Sequence, residues 1–456
     1  MSKIVDNIEL DETNAEFFYA DKLVKKTNDL IYLTGKAGSG KTTFLKYIRQ
    51  TTTKKTVVLA PTGVAALNAG GQTIHSFFKI APSIYLPDDA RLRTKADYDS
   101  EDKFTIFNHF KYKKGQKKLI TNMELLIIDE ISMVRCDLLD VVDKLLRVFR
   151  ERESEPFGGV QVLLIGDAFQ LPPIAQRETW DILKAYYDTP FFFSSLAIRE
   201  RKLHYIELKK IYRQSDKKFI DLLNNIRINQ VSNADLELLN SRFLPAIFKN
   251  DNIKHIVIAT HNNLVDEKNS KKLAELSTAL HVFNADIQGD FPDSMLPTEK
   301  VLKLKVGSQI MMIKNDAEKK YFNGTIAKIK NFEENKIIVE LEDGKLLDIR
   351  QFTWNNIKYS WDLKAKKINE EIVGSFIQYP VKLAWAVTVH KCQGLTFKNV
   401  IADLSGSFSA GQVYVALSRC TSLEGLVLMS RIRPEVIKTD PHVIKFSERE
   451  EQIQLY

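Results

Sequence analysis

The chain has 456 residues, 44% of them hydrophobic and 27% charged, which excludes a disordered or collagen-like chain and allows two or three domains with cores of their own. Its longest aliphatic runs, such as Leu125–Ile128, fall far short of the ~18 apolar residues of a membrane span, and Met1, Ser2 and Lys3 open no apolar signal core, so no membrane partner and a cytosolic placement are expected. Three cysteines (Cys136, Cys392, Cys420) without a CxxC pair argue against a disulfide framework or structural zinc, while the net charge of +8 suits an anionic partner.

Taken in chain order, short apolar runs recur between helix-length amphipathic stretches: Ile31–Leu33, Val57–Leu59, Leu125–Ile128, Val162–Ile165, then Ile256–Ala259, Val400–Ala402 and Leu426–Met429. Runs that do not alternate with polar residues predict parallel strands buried on both faces. Their two clusters predict an α/β fold with two domains, residues 1–180 and residues 181–300 with 377–456. Two segments break the rhythm. Residues 63–118 read as an insertion in the first domain, whose charged part carries Lys111, Lys113, Lys114, Lys117 and Lys118 as a solvated face. In residues 301–376, Asn323 with Gly324, Asn335, and Asp343 with Gly344 punctuate short β-prone runs. That is hairpin chemistry and predicts a small antiparallel β-barrel-like insertion in the second domain.

The first chemistry lies at Gly35–Thr42, which fits GxxxxGK[ST] between the strand at Ile31 and a helical run from Thr43. Gly35, Gly38 and Gly40 permit a tight loop, and the amides of Ala37, Ser39 and Thr43 can face phosphates at a helix N-terminus. Lys41 supplies a point charge and Thr42 a hydroxyl ligand for Mg²⁺. The strand Leu125–Ile128 ends in Asp129 and Glu130: one carboxylate can hold the metal, the other can orient and deprotonate a water. A third run ends at Gly166–Pro173, where Gln170 can reach a γ-phosphate or its attacking water. Phosphoryl transfer also needs a cation for the transition state, and Arg213 and Arg419, both assigned to the second domain, are the candidates. The residues alone do not choose between them and the other arginines.

Aromatic and basic side chains follow the strands where a single strand of nucleic acid would stack and be neutralised: Pro61, Thr62, His75 and Phe77 in the first domain, and Thr260, His261, Thr388, His390 and Lys391 in the second. Phe78 reads as core.

Together the blocks resemble superfamily-one DNA helicases, and among them the Pif family, related to the RecD type. The resemblance runs from about Leu30 to Met429 and rests on Gly35–Thr42, Ala60–Ala66, Gly71–Phe77, Asp129–Arg135, Gly166–Pro173, Tyr212–Gln214, Thr260 with His261, Val387–Gly394 and Tyr414–Arg419; Glu130–Arg147 resembles the family's signature segment. It implies two RecA-like domains clasping ATP and Mg²⁺, Arg213 and Arg419 as fingers onto that ATP, and Gln393 and Gly394 at the nucleotide. It also implies 5′→3′ movement on single-stranded DNA across both domains, action at single/double-strand junctions, G-quadruplexes or RNA–DNA hybrids, and service in DNA repair, recombination and telomere-type maintenance. A monomer is expected, cytoplasmic in a bacterium and nuclear or mitochondrial in a eukaryote. Two positions depart from the family: Asn14 stands in a stretch with no Gln before Gln50, where relatives read adenine, and Cys392 replaces a usual Ser. The chain's ends lie close to the outermost motifs, as in a near-minimal helicase core. The competing readings are a P-loop metabolite kinase, an ATP-switched nucleic-acid clamp, and an RNA-directed helicase.

Overall fold

A computed structural model describes residues 2–5, 8–94, 106–245, 255–316, 318, 320–362 and 364–454; the rest of the charged insertion, residues 95–105, lies outside the described residues. Six parallel strands form the first sheet in the spatial order Gln72–Thr73, Thr56–Ala60, Leu125–Ile128, Gln161–Ile165, Leu30–Gly35, Leu203–Leu208. Its apolar runs have no polar alternation because both faces are covered. Ile31, Leu33, Ile127 and Leu163 pack on Phe17, Val24, Phe44 and Ile48 of the helices Ala15–Lys26 and Lys41–Thr51. Leu30, Tyr32, Leu126 and Leu164 join the core on the opposite face, with Leu139 and Leu146 of the helix Cys136–Phe149. Each such fully buried side chain is worth about 1.5–3 kcal/mol.

The second sheet has four parallel strands, Ala386–Thr388, Ile256–Ala259, Val400–Asp403 and Leu426–Leu428. Between its first two segments the chain becomes antiparallel, from Leu280 to Leu383. Here Leu346–Ile349, Lys336–Leu341, Ile326–Glu333, Gln309–Met312 and Val381–Leu383 make one sheet over a core of Ile310, Ile329, Val339 and Ile349. The expected turns are present: Asn335 (φ 63°) and Gly344 (φ 83°) both adopt the left-handed conformation such hairpins need.

Three expectations need correcting. The strand Leu203–Leu208 lies at the edge of the first sheet beside Leu30–Gly35, so the first lobe does not end at residue 180. The insertion expected from residue 63 begins later, because Gln72–Thr73 still pairs with Leu59–Ala60. The antiparallel unit is wider than 301–376, running from Leu280 to Leu383, and its strands fall into more than one sheet.

One feature ties the units together. A long hairpin, Phe352–Asp362 with Lys367–Gln378, reaches back to the first lobe. There the Tyr359 hydroxyl accepts a hydrogen bond from the Val58 amide (3.2 Å), and the Tyr359 amide donates to Gln72 Oε1 (3.3 Å). Arg49 pairs with Glu370 on the same hairpin at 2.9 Å. Among the described residues no helix is long and apolar enough to cross a membrane.

Candidate active site and nucleic-acid groove between the lobes

A continuous cleft of about 2320 Å³ runs between the two parallel-sheet lobes and the antiparallel unit. On the first-lobe side, the strand Leu30–Gly35 stops at its carboxyl end and turns into the helix Lys41–Thr51. The turn needs glycine: Gly38 and Gly40 have φ of 81° and 96°, and a Cβ on Gly38 would stand 2.4 Å from the Arg213 Cβ. Lys41 Nζ folds back to donate to the carbonyls of Gly35 (2.6 Å) and Lys36 (3.2 Å), and its removal from water pushes its pKa down. Among the described residues the buried Ser39 hydroxyl has no partner, which leaves a donor available inside a loop whose amides suit a phosphate.

Asp129 and Glu130 follow the fully buried strand Leu125–Ile128. Burial and the neighbouring carboxylate push Asp129 up to about 7, and burial also raises Glu130 against the pull of Lys41 and Arg419. Two desolvated carboxylates in the cleft that Thr42 also lines are relieved by a divalent cation, so this donor set fits Mg²⁺ held by Thr42 and Asp129. Glu130 sits at φ 51°, uncommon for a residue with a side chain and costing about 1–2 kcal/mol; its Oε2 accepts from Gln393 Nε2 of the second lobe at 2.9 Å.

The two arginines meet across the loop. Arg213 Nη1 donates to Ser418 O (3.2 Å) and Nη2 to Gly394 O (3.5 Å); burial, then Arg419, lowers its pKa to about 9. Arg419 is buried, its Nε on Val415 O (2.9 Å) and Nη2 on Ser418 Oγ (2.9 Å). Arg213 lies on the connection between the lobes, its side chain bonded to the second. It follows the edge strand of the first sheet, and the Tyr212 amide holds it there by donating to Gly38 O at 2.9 Å. Gln170 and Gly394 line the same cleft. Tyr414, whose hydroxyl accepts from the Ala37 amide at 3.1 Å, is a second-lobe contact on the phosphate loop that sequence reasoning did not single out as functional.

Asn14 is already committed. Its Oδ1 caps a helix by accepting from the Phe17 amide (3.0 Å), and its Nδ2 donates to Tyr212 Oη (3.2 Å), so the side chain is anchored at the helix start, where it lines the cleft. Replacing Asn14 by Ala should therefore cost about 1 kcal/mol of stability for the lost cap, while the preference between ATP and GTP in turnover stays within about twofold; thermal melting and paired kinetics check both. Cys392 is tolerated as a small buried group, its Sγ 3.2 Å from Val389 O and its thiol pushed up to about 12 by burial.

The groove candidates divide. Thr62, His390 and Lys391 line the cleft, and His261 stacks on the exposed Phe408 with rings 5.6 Å apart at 17°. Thr260 and Thr388 are buried, and the Thr388 hydroxyl accepts from the Lys391 amide (3.3 Å), shaping that turn. Pro61 and His75 are half-buried and do not line the cleft. Phe77 does not present the free face expected of it. Only 2% exposed, it packs edge-on against Phe78 and Tyr359 beneath the long hairpin. Phe78 is core, and Lys111, Lys113, Lys114 and Lys117 are exposed.

Comparison with known proteins agrees with this geometry. A family model described as PIF1-like helicase matches residues 11–237. The chain is 33% identical over 433 residues to the ATP-dependent DNA helicase PIF1 of Danio rerio, an alignment covering 92% of this chain and 61% of that protein's length. The Bacteroides sp. Pif1 structure in complex with ADP-AlF4 is similar with a TM-score of 0.88 at 40% identity, over 96% of this chain and 97% of that one. The Bacteroides Pif1 structure bound to ssDNA is similar with a TM-score of 0.66 at 39% identity, over 97% and 98% of the two chains. With an identity of 40% over nearly the whole of a solved Pif1 chain, and with the phosphate loop, paired carboxylates and arginines assembled at one cleft, the chain belongs to the PIF1-like helicase family.

Proposed function

We propose that this chain hydrolyses ATP in the interlobe cleft and uses the cycle to move 5′→3′ along single-stranded DNA, opening duplex at junctions. The observation that carries the reading is the convergence of the Gly35–Thr42 loop, Asp129 and Glu130 with Arg213 and Arg419 at one seam, in a cleft that continues to Thr62, His390 and Lys391. Glu130 accepts the proton of the attacking water. Lys41 leaves the Gly35 and Lys36 carbonyls for the β- and γ-phosphates, and Gln170 orients the water at the γ-phosphate. Mg²⁺, when bound by Thr42 and Asp129, neutralises phosphate charge. Arg213 then meets the charge that develops on the transferring oxygens.

Strand movement follows if the lobes change their relation with each cycle. The lower TM-score to the ssDNA-bound relative, at nearly unchanged identity, supports a different arrangement of the units on DNA. DNA and nucleotide, each favouring one arrangement, should raise each other's affinity by the same factor.

One duplex carrying either a 5′ or a 3′ single-stranded tail tests the reading, with Lys41→Ala as the control for passive melting. Opening is expected from the 5′ tail alone. Activity on the 3′ tail reverses the polarity. Turnover stimulated by DNA without strand opening leaves the clamp, stimulation by RNA over DNA leaves the RNA-directed helicase, and turnover indifferent to nucleic acid leaves the kinase. The same substrate set extended to a G-quadruplex and an RNA–DNA hybrid ranks the preferred obstacle.

A further inference from the structure

The helix Lys217–Arg227 belongs to the second lobe: Phe219, Leu222, Leu223 and Ile226 are buried in it, it packs on Gln412–Leu417, and the Arg227 carbonyl accepts from Thr439 Oγ1 at 2.9 Å. The Arg227 side chain reaches the other way, into the first lobe. Its Nη2 lies 3.1 Å from Asp167 Oδ1 and its Nη1 3.3 Å from Glu207 Oε1, and its guanidinium covers the Phe169 ring at 4.0 Å. The group is 5% exposed and the Asp167 carboxylate fully buried. Arg227 Nε has no acceptor among the described residues; the fork is oriented by its hydrogen bond to Asp167, with the Glu207 carboxylate as an ion-pair partner and the Phe169 ring against its face.

Asp167 passes the constraint on. Its Oδ1 accepts from the Phe169 amide (3.2 Å) and its Oδ2 from Gln170 Nε2 (3.3 Å). A second contact from the same lobe meets the same loop: a Cβ on Gly411 would lie 2.2 Å from Gln170 O, and its φ of 76° favours glycine. A buried ion pair is poor evidence for stability, since apolar packing of equal volume often serves as well. What this one provides is a directional link between the lobes that ends on the Gln170 side chain at the cleft. Coupling between distant sites needs an element whose arrangement both sites bias, and this link supplies one.

We propose that Arg227 is a positioning residue, the strut through which movement of the second lobe sets Gln170 at the nucleotide. The inference rests on the DNA-stimulated ATPase read above, so wild-type protein is measured first with and without single-stranded DNA; absence of stimulation there overturns both. Arg227→Lys keeps the charge but cannot span Asp167 and Glu207 together. In that variant DNA-saturated kcat should fall about tenfold with KM for ATP within about twofold, and base pairs opened per ATP should fall in parallel. Fluorescent ADP affinity and melting temperature should match wild type, which a loosened fold would not allow. Glu207→Gln, which spares the Arg227–Asp167 pair, should retain more than about half of kcat. The proposal is overturned if Arg227→Lys keeps wild-type kcat and coupling, if its losses track lost ADP binding, or if Glu207→Gln falls as far.

Discussion

Replacing Glu130 by Gln is expected to leave nucleotide binding intact while ATP turnover falls by about 10²–10⁴, the usual worth of a general base. The isosteric amide fits the same left-handed backbone position (φ 51°), and its oxygen can still accept from Gln393 Nε2, which now lies 2.9 Å from Glu130 Oε2. Asp129 loses a repelling neighbour and ionises more readily, since that neighbour contributes to holding it near 7. Geometry and metal site survive; only the proton acceptor is gone. Phosphate release measured beside equilibrium binding of a fluorescent nucleotide separates the two effects. Turnover within tenfold of wild type would move the base to another residue.

The second large effect is at the arginines, and the structure ranks them. Arg213 holds its present place by two contacts of 3.2 and 3.5 Å, and burial beside Arg419 brings its pKa down to about 9, a cation short of counter-charge. An incoming triphosphate supplies that charge. Arg213→Ala should lower kcat by about 10³–10⁵, the range for a finger on a phosphoryl transition state, with the melting temperature nearly unchanged. Arg419 also holds Val415 O, Ser418 Oγ and Leu395 O together, so Arg419→Ala should lose stability along with turnover. Equal melting losses in the two variants, or a kcat for Arg213→Ala within tenfold of wild type, would defeat the ranking. Both readouts come from one purified set: steady-state kinetics with saturating DNA and thermal melts without nucleotide.

How far these residues were legible in the sequence depended on the distance over which each was determined. Strands such as Leu125–Ile128 and Val162–Ile165 were readable because a sheet covered on both faces tolerates no polar residue in mid-strand, and the acids and Gln170 beyond them followed. Leu203–Leu208 was harder to place. It is an edge strand with His204 and Glu207 partly exposed, and nothing local states that it pairs with a strand about 170 residues earlier. Arg213, just beyond it, therefore lies on the connection between the lobes instead of within the second. Phe77 looked like a stacking surface because its neighbours are right for one, but its cover, Tyr359, arrives from a hairpin far along the chain. Arg227 did leave a signal that went unread: it falls on the stripe of Phe219, Leu223 and Ile226, where a helix turned to the core carries apolar residues. A charge there calls for a buried partner.

The Val58 amide faces the side of its strand that Gln72–Thr73 is too short to cover, and Tyr359 satisfies it from the antiparallel unit. Bare sheet margins recruit other chains. The hairpin thus also caps that margin: a state in which it swings away would leave the Val58 amide to be met by water or by another chain.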